Sequence, residues 1–336
     1  MIKRAIIIIS ILILWESFCC FQAFAQVNTA ATAQTIAITD TATQLSATTT
    51  SSTPASYTTK GADTCAKCHD EDSKFPVYAI YKTKHAQPAD VRTPFASLQC
   101  ETCHGPGEAH AKSVRPGEKQ APIITFGTNS KLSTPQQNQI CLDCHHGQDR
   151  SAWHSSAHER NEVSCTRCHQ VHTSHDPVLD THNQPMVCYQ CHKKAQAEFL
   201  KPTNHPVRFG KLVCSDCHQI HGSNTTAILK YPTINQTCYN CHAEKRGPLL
   251  WEHAPVTENC NICHFAHGSA HSSLLKQRAP ILCQQCHSQF GHPSVPRAAG
   301  NLPANNPSAF LLAGSCTNCH SQVHGSNHPS GAKLMR

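Results

Sequence analysis

Ten times the chain sets two cysteines, two residues apart, directly before a histidine. In chain order, units 1 to 5 are Cys65, Cys68 and His69; Cys100, Cys103 and His104; Cys141, Cys144 and His145; Cys165, Cys168 and His169; and Cys188, Cys191 and His192. Units 6 to 10 are Cys214, Cys217 and His218; Cys238, Cys241 and His242; Cys260, Cys263 and His264; Cys283, Cys286 and His287; and Cys316, Cys319 and His320. Thiols at this spacing span a porphyrin edge and form thioethers to its vinyl groups, while the adjacent histidine faces the iron as proximal ligand. Zinc ribbons close pairs of Cys-x-x-Cys on one metal and give no reason for a histidine after every second cysteine. A disulfide framework would show uneven spacing and no histidine rule. The units use twenty of the twenty-two cysteines, leaving only Cys19 and Cys20 outside the pattern. The spacing predicts ten covalently bound c-type haems (haem c).

The second axial ligand decides the chemistry. A haem with an open position can transform a substrate, whereas one closed by two protein ligands only passes electrons. Methionine is nearly excluded, because beyond the first residue only Met186 and Met335 occur. Of twenty-six histidines, ten belong to the units and sixteen remain. His172, His221, His267 and His324 trail a unit at short, repeated distance, and His158, His205 and His253 precede one by seven to nine residues. His85, His110 and His292 occupy the long gaps. These ten form a complete distal set. His146, His154, His175, His182, His271 and His328 follow no repeat and read as exposed or hydrogen-bonded side chains. Bis-histidine ligation throughout predicts low-spin iron and an electron-transfer protein, not an enzyme.

The units begin 35, 41, 24, 23, 26, 24, 22, 23 and 33 residues apart, leaving little chain for each haem. From unit 4 to unit 9 a longer period of about 47 residues appears. Each period opens with a unit and its trailing histidine, continues through a loop with one or two leucines, and closes with a unit lacking that histidine. Twenty-one prolines and fifteen glycines leave room only for short helices, with residues 193–201 and 249–253 as candidates. Nothing alternates long enough for a sheet. The predicted fold is that of a multihaem cytochrome c: short α-helices and mostly irregular coil wrapped around a linear chain of ten haems. With so little aliphatic material, the porphyrins must serve as core, as metals do in small metal-dependent domains.

The formal charge of +7 does not indicate a nucleic-acid partner. Without the leader it is about +6, and two propionates and one ferric charge per haem add about −10, giving about −4. Residues 1–25 read as a cleaved signal peptide: Lys3 and Arg4, an apolar run over 5–15, and Ala23-Phe24-Ala25 before Gln26. Eleven apolar residues are too few to span a bilayer, which takes about twenty. Export to the periplasm follows, since thioether attachment of haem takes place outside the cytoplasm. Residues 26–60, rich in Thr, Ala and Ser, read as a flexible tether.

Three stretches carry a family resemblance: KGADTCAKCH at 60–69, CHAEKRGPLLWEHAPVTENCNICH at 241–264 and CTNCHSQVHGSNHPSG at 316–331. On these, residues 61–336 resemble the MtrA/MtoA/PioA/DmsE group of periplasmic decahaem cytochromes. On the family pattern the distal ligands fall at the ten histidines already chosen. His154 stands where the family need not have histidine, and the Thr-rich tether departs from it. The resemblance implies two similar five-haem halves, 61–192 and 193–336, in a rod that enters an outer-membrane β-barrel porin of the MtrB/MtoB/PioB kind. It also implies electron exchange with an inner-membrane or periplasmic cytochrome at one end. At the other end stands an extracellular multihaem cytochrome or iron mineral. The expected function is conduction across the outer membrane, for extracellular iron oxidation or for metal or sulfoxide reduction. The alternative is a soluble periplasmic shuttle or store. A nitrite- or hydroxylamine-type enzyme fits less well, because such enzymes often mark the open haem with Cys-x-x-Cys-Lys and every unit here ends in histidine.

Overall fold

Because consecutive units leave so few residues between them, the backbone is built from single turns. A computed structural model describes residues 55–287 and 315–336. His292, the leader with Cys19 and Cys20, and most of the 26–60 segment lie outside the described residues. Within 55–336 the structure is short helices, 3₁₀ turns and irregular chain. The longest described helix, Thr134–Leu142, has nine residues. Odd-numbered units from 3 onward close a short α-helix: Thr134–Leu142, Gln184–Cys188, Ile234–Tyr239 and Ile281–Gln284. Local chemistry starts these helices. Gln136 Oε1 accepts from Ser133 N at 2.9 Å, and Thr233 Oγ1 accepts from Gln236 N at 3.1 Å, each satisfying a donor the first turn would leave unpaired.

One strand pair occurs among the described residues, Thr203–Asn204 antiparallel to Gly268–Ser269. Residues 193–201 contain the helix Lys193–Phe199. Residues 249–253, expected as a helix, are extended instead. Trp251 exchanges both backbone hydrogen bonds with Ser326, each at 2.8 Å. Leu250 N also donates to Asn327 Oδ1 and Trp251 Nε1 to His328 O. Pairing with a distant segment outweighs the local preference of a five-residue stretch, too short to hold a helix alone.

The protein-only core is small. Two clusters stand out: Ala62 with Ile80 and Phe95, and Tyr189 with Phe199 and Val207. Polar residues do much of the remaining joining, through a repeated clamp. Asn138 Oδ1 accepts from Cys165 N at 2.8 Å while its Nδ2 donates to Val163 O at 3.1 Å. Asn235 Oδ1 likewise accepts from Cys260 N at 2.7 Å, and its Nδ2 reaches Val256 O and Thr257 O. Gln184 Oε1 takes Ser215 N, and Gln99 Oε1 takes Ala62 N. Each clamp ties one odd unit to the next even one, joining units 1–2, 3–4, 5–6 and 7–8. Glu101, buried, fixes the start of the described chain by accepting from Thr58 N, Thr58 Oγ1 and Gly107 N. No described helix is long and apolar enough to cross a membrane.

Candidate functional site

Each unit is one helical turn. In all ten, the histidine N–H donates to the carbonyl of the first cysteine at 2.9–3.1 Å. That bond puts both thiols and the imidazole on one side of the turn, the geometry covalent haem attachment requires. The units are also in contact in sequence order. First-cysteine thiols hydrogen-bond between Cys65 and Cys100, Cys141 and Cys165, Cys188 and Cys214, Cys238 and Cys260, and Cys283 and Cys316. Through these bonds Cys65, Cys214 and Cys260 are held down to about 7, against the pull of burial. The second cysteines bridge the other intervals: Cys103 feels Cys141, Cys168 feels Cys191, Cys217 feels Cys241 and Cys263 feels Cys286.

Histidine rings face one another across this row. His69 and His110 stack with centroids 6.4 Å apart, His104 and His172 stand at 6.0 Å, and His85 and His145 at 5.9 Å. His169 faces His221 at 6.1 Å, His158 faces His192 at 6.2 Å, and His218 faces His267 at 6.2 Å. His205 and His242 lie at 6.4 Å, with His253–His287 and His264–His324 both at 6.1 Å. Imidazole nitrogen bonds a transition metal at about 2.0–2.1 Å, so two rings on one ion have centres about 6 Å apart. The nine pairs match that spacing. His320 is the unit histidine left, and His292 the distal candidate outside the described residues.

The pairing follows a rule. A trailing histidine serves the unit two places back, so His172, His221, His267 and His324 face units 2, 4, 6 and 8. A preceding histidine reaches forward, so His85, His158, His205 and His253 face units 3, 5, 7 and 9. Unit 1 has no predecessor to reach from and takes the local His110.

Hydrogen bonds fix the tautomers. Nδ1 of His69, His104 and His110 donates to the carbonyls of Phe75, Ile124 and Ala121. His218, His264 and His320 donate to Ala227, Ser273 and Lys333. A carbonyl only accepts, so each Nδ1 carries the proton and Nε2 keeps its lone pair for a metal. His158, His205 and His253 donate to the carbonyls of Ile220, Ala266 and Val323, each immediately before a trailing histidine. One dipeptide thus supplies a ring to one centre and orients the ligand of the next. A glycine follows each of these histidines. A Cβ at Gly222, Gly268 or Gly325 would overlap the carbonyl of Ala152, Glu198 or Trp251. Two acceptors are carboxylates instead: Asp176 Oδ2 at 2.7 Å from His169 Nδ1, and Glu198 Oε2 at 2.8 Å from His267 Nδ1. Burial pushes His85, His145, His172, His218, His221 and His324 below the ordinary imidazole value, favouring the neutral form that can ligate.

A continuous cavity of about 4870 Å³ is lined by all twenty unit cysteines, the ten unit histidines and the nine described distal histidines. A pocket for one small molecule has about 300–1,000 Å³, so this space suits a file of large flat groups. Trp153 and Tyr189 line it too, and Trp153 Nε1 and Tyr189 OH are buried without a hydrogen-bond partner. Such donors await an acceptor, which a haem propionate would provide. Paired thiols, facing imidazoles and unpartnered donors all fit haem c. Of the histidines set aside on spacing, His146, His154, His175, His182 and His328 do not line the cavity, whereas His271 does. Sequence reasoning missed the carboxylates Asp176 and Glu198 and the clamps Asn138, Gln184 and Asn235. The clamps had a visible signal, an Asn-Gln pair three to five residues ahead of units 3, 5 and 7.

Comparison with known proteins agrees with this donor set. The family model "Doubled CXXCH motif" matches residues 204–247 and 253–292, and the "Cytochrome c-type protein NrfB-like" model matches 100–187. Each doubled match spans an even unit and the odd unit after it, which is the 47-residue period. The multiheme cytochrome MtrA of Shewanella baltica (strain OS185) is 47% identical over 282 residues, covering 83% of each chain. With its repeated Cys-x-x-Cys-His turns and covalent c-type haem chemistry, this electron-transfer chain belongs to the MtrA family of multihaem cytochromes.

Proposed function

We propose that the chain binds ten haems as a single file of bis-histidine centres and conducts electrons across the outer membrane inside a β-barrel partner. The observation that carries this reading is the unbroken contact between consecutive units from Cys65 to Cys319. When bound, haem supplies a one-electron ferric/ferrous couple. The unit cysteines hold each group covalently, and the paired imidazoles close both faces of the iron, leaving no place for substrate. His320 and His292 complete the tenth pair, and the file divides into two five-haem halves, 61–192 and 193–336. Because ligands interlock between neighbouring units, no centre can shift without moving the next.

Residues 1–25 direct export to the periplasm, and residues 26–60 serve as a tether. The described chain offers no helix able to cross a bilayer, so any crossing runs through a partner, and the polar lumen of a large barrel is the fitting environment. The partners are an MtrB-like porin around the file, an inner-membrane or periplasmic cytochrome at its inner end, and an extracellular cytochrome or iron mineral at its outer end. Reconstitution with the porin into vesicles loaded with a redox dye tests this. External dithionite is expected to bleach the dye only when both proteins are present. Bleaching by the porin alone, or recovery of the cytochrome only free in the periplasm, would contradict conduction and favour the shuttle.

A further inference from the structure

We propose that Asp176 and Glu198 lower the reduction potentials of the two centres they border, those of His169–His221 and His218–His267, making units 4 and 6 the low-potential points of the file. The inference rests on reading these facing rings as axial pairs.

It starts from a contrast in hydrogen-bond acceptors. The proximal histidines of units 6 and 8 donate to carbonyls of tight loops, Ala227 and Ser273, each nine residues on. In unit 4 the equivalent acceptor is the Asp176 side chain, seven residues on, at 2.7 Å from His169 Nδ1. Its other oxygen accepts from Gln170 N and Val178 N, which fixes the carboxylate's orientation. On the distal side of unit 6, His267 Nδ1 donates to Glu198 Oε2 at 2.8 Å. Here the fold holds the carboxylate near, because Gly268 lets the strand carrying His267 lie against the helix carrying Glu198.

A carboxylate is a stronger acceptor than a carbonyl and forms a charge-assisted bond. It draws the Nδ1 proton outward and makes Nε2 a better electron donor to the metal. Its negative charge, one ring away, also favours ferric over ferrous iron. Both effects act in the same direction. Solvent does not erase them: the Asp176 side chain is 14% exposed and that of Glu198 27%. Glu244 offers a comparison, since it lies 3.7 Å from His242 with its side chain 60% exposed, too distant for a hydrogen bond and open to screening. Reduction moves one electron from a mediator to iron, ferric to ferrous, with no bond made or broken. An electron entering from either end would thus meet a rise at the middle of the file and reside by preference toward the ends.

The test is a potentiometric titration of the full holoprotein at fixed pH, followed by electron paramagnetic resonance, for the wild type, Asp176→Asn, Glu198→Gln and Glu244→Gln. The amides keep an acceptor oxygen in place and remove the charge. In Asp176→Asn and in Glu198→Gln, one haem is expected to leave the low-potential end of the curve and titrate higher, with one low-spin ferric signal shifted. Glu244→Gln is expected to match the wild type. Superimposable curves for Asp176→Asn and Glu198→Gln, with every haem bound and low-spin, would overturn the inference while leaving the axial pairs intact. An His221→Ala variant that shows no high-spin iron would overturn the axial reading itself, and the inference with it.

Discussion

At the scale of the residue, the histidine pairs carry the account. His253 stands between units 7 and 8 in sequence, yet its ring faces His287 of unit 9 at 6.1 Å, and its Nδ1 is held by the carbonyl of Val323. Removing it should open one iron and only one. His253→Ala is expected to convert the haem at Cys283 and Cys286 to high spin while the rest stay low-spin, as read by electron paramagnetic resonance. An all-low-spin spectrum would remove His253 from the ligand set. The identity of the ligands was legible in the sequence because thioether attachment imposes a fixed local spacing. Their pairing was not, since His221 and His169 are 52 residues apart and meet only through the fold. Asp176 and Glu198 were illegible for the same reason: nothing in a local motif says which side chain will stand beside an Nδ1.

At the scale of the element, short turns are held by buried amides as much as by apolar contact. Asn235 spans from the helix Ile234–Tyr239 to the turn Cys260–Ile262, satisfying Cys260 N and two carbonyls at once. Asn235→Ala leaves these groups unpaired, at about 1–3 kcal/mol for each buried one left without water. The expected result is a lower melting temperature and faster amide exchange at Cys260, with haem content unchanged. Exchange at Cys260 equal to the wild type's would show that the clamp does not hold the turn. The helix Lys193–Phe199 was readable from its run of helix formers. The extended 249–253 segment was not, because its conformation is set by Ser326, far along the chain. The recurrent Asn-Gln pair was in plain view, but an amide has a purpose only once its partner's place is known.

At the scale of the whole molecule, the apolar interior is what the bound groups would supply. The protein's own buried clusters are few and small, while the cavity runs past every unit cysteine. That balance was legible from composition, since so few residues separate one unit from the next. Interlocking ligands, each donated by a neighbouring unit, turn a run of local turns into one continuous body. The central claim is that this body holds ten irons, all closed by two histidines. Near-infrared magnetic circular dichroism of the oxidised protein, scaled to haem per chain, tests it most directly. The account predicts ten haems with bis-histidine intensity for all ten. A count well below ten, or several centres lacking that signature and taking up carbon monoxide once reduced, would contradict it.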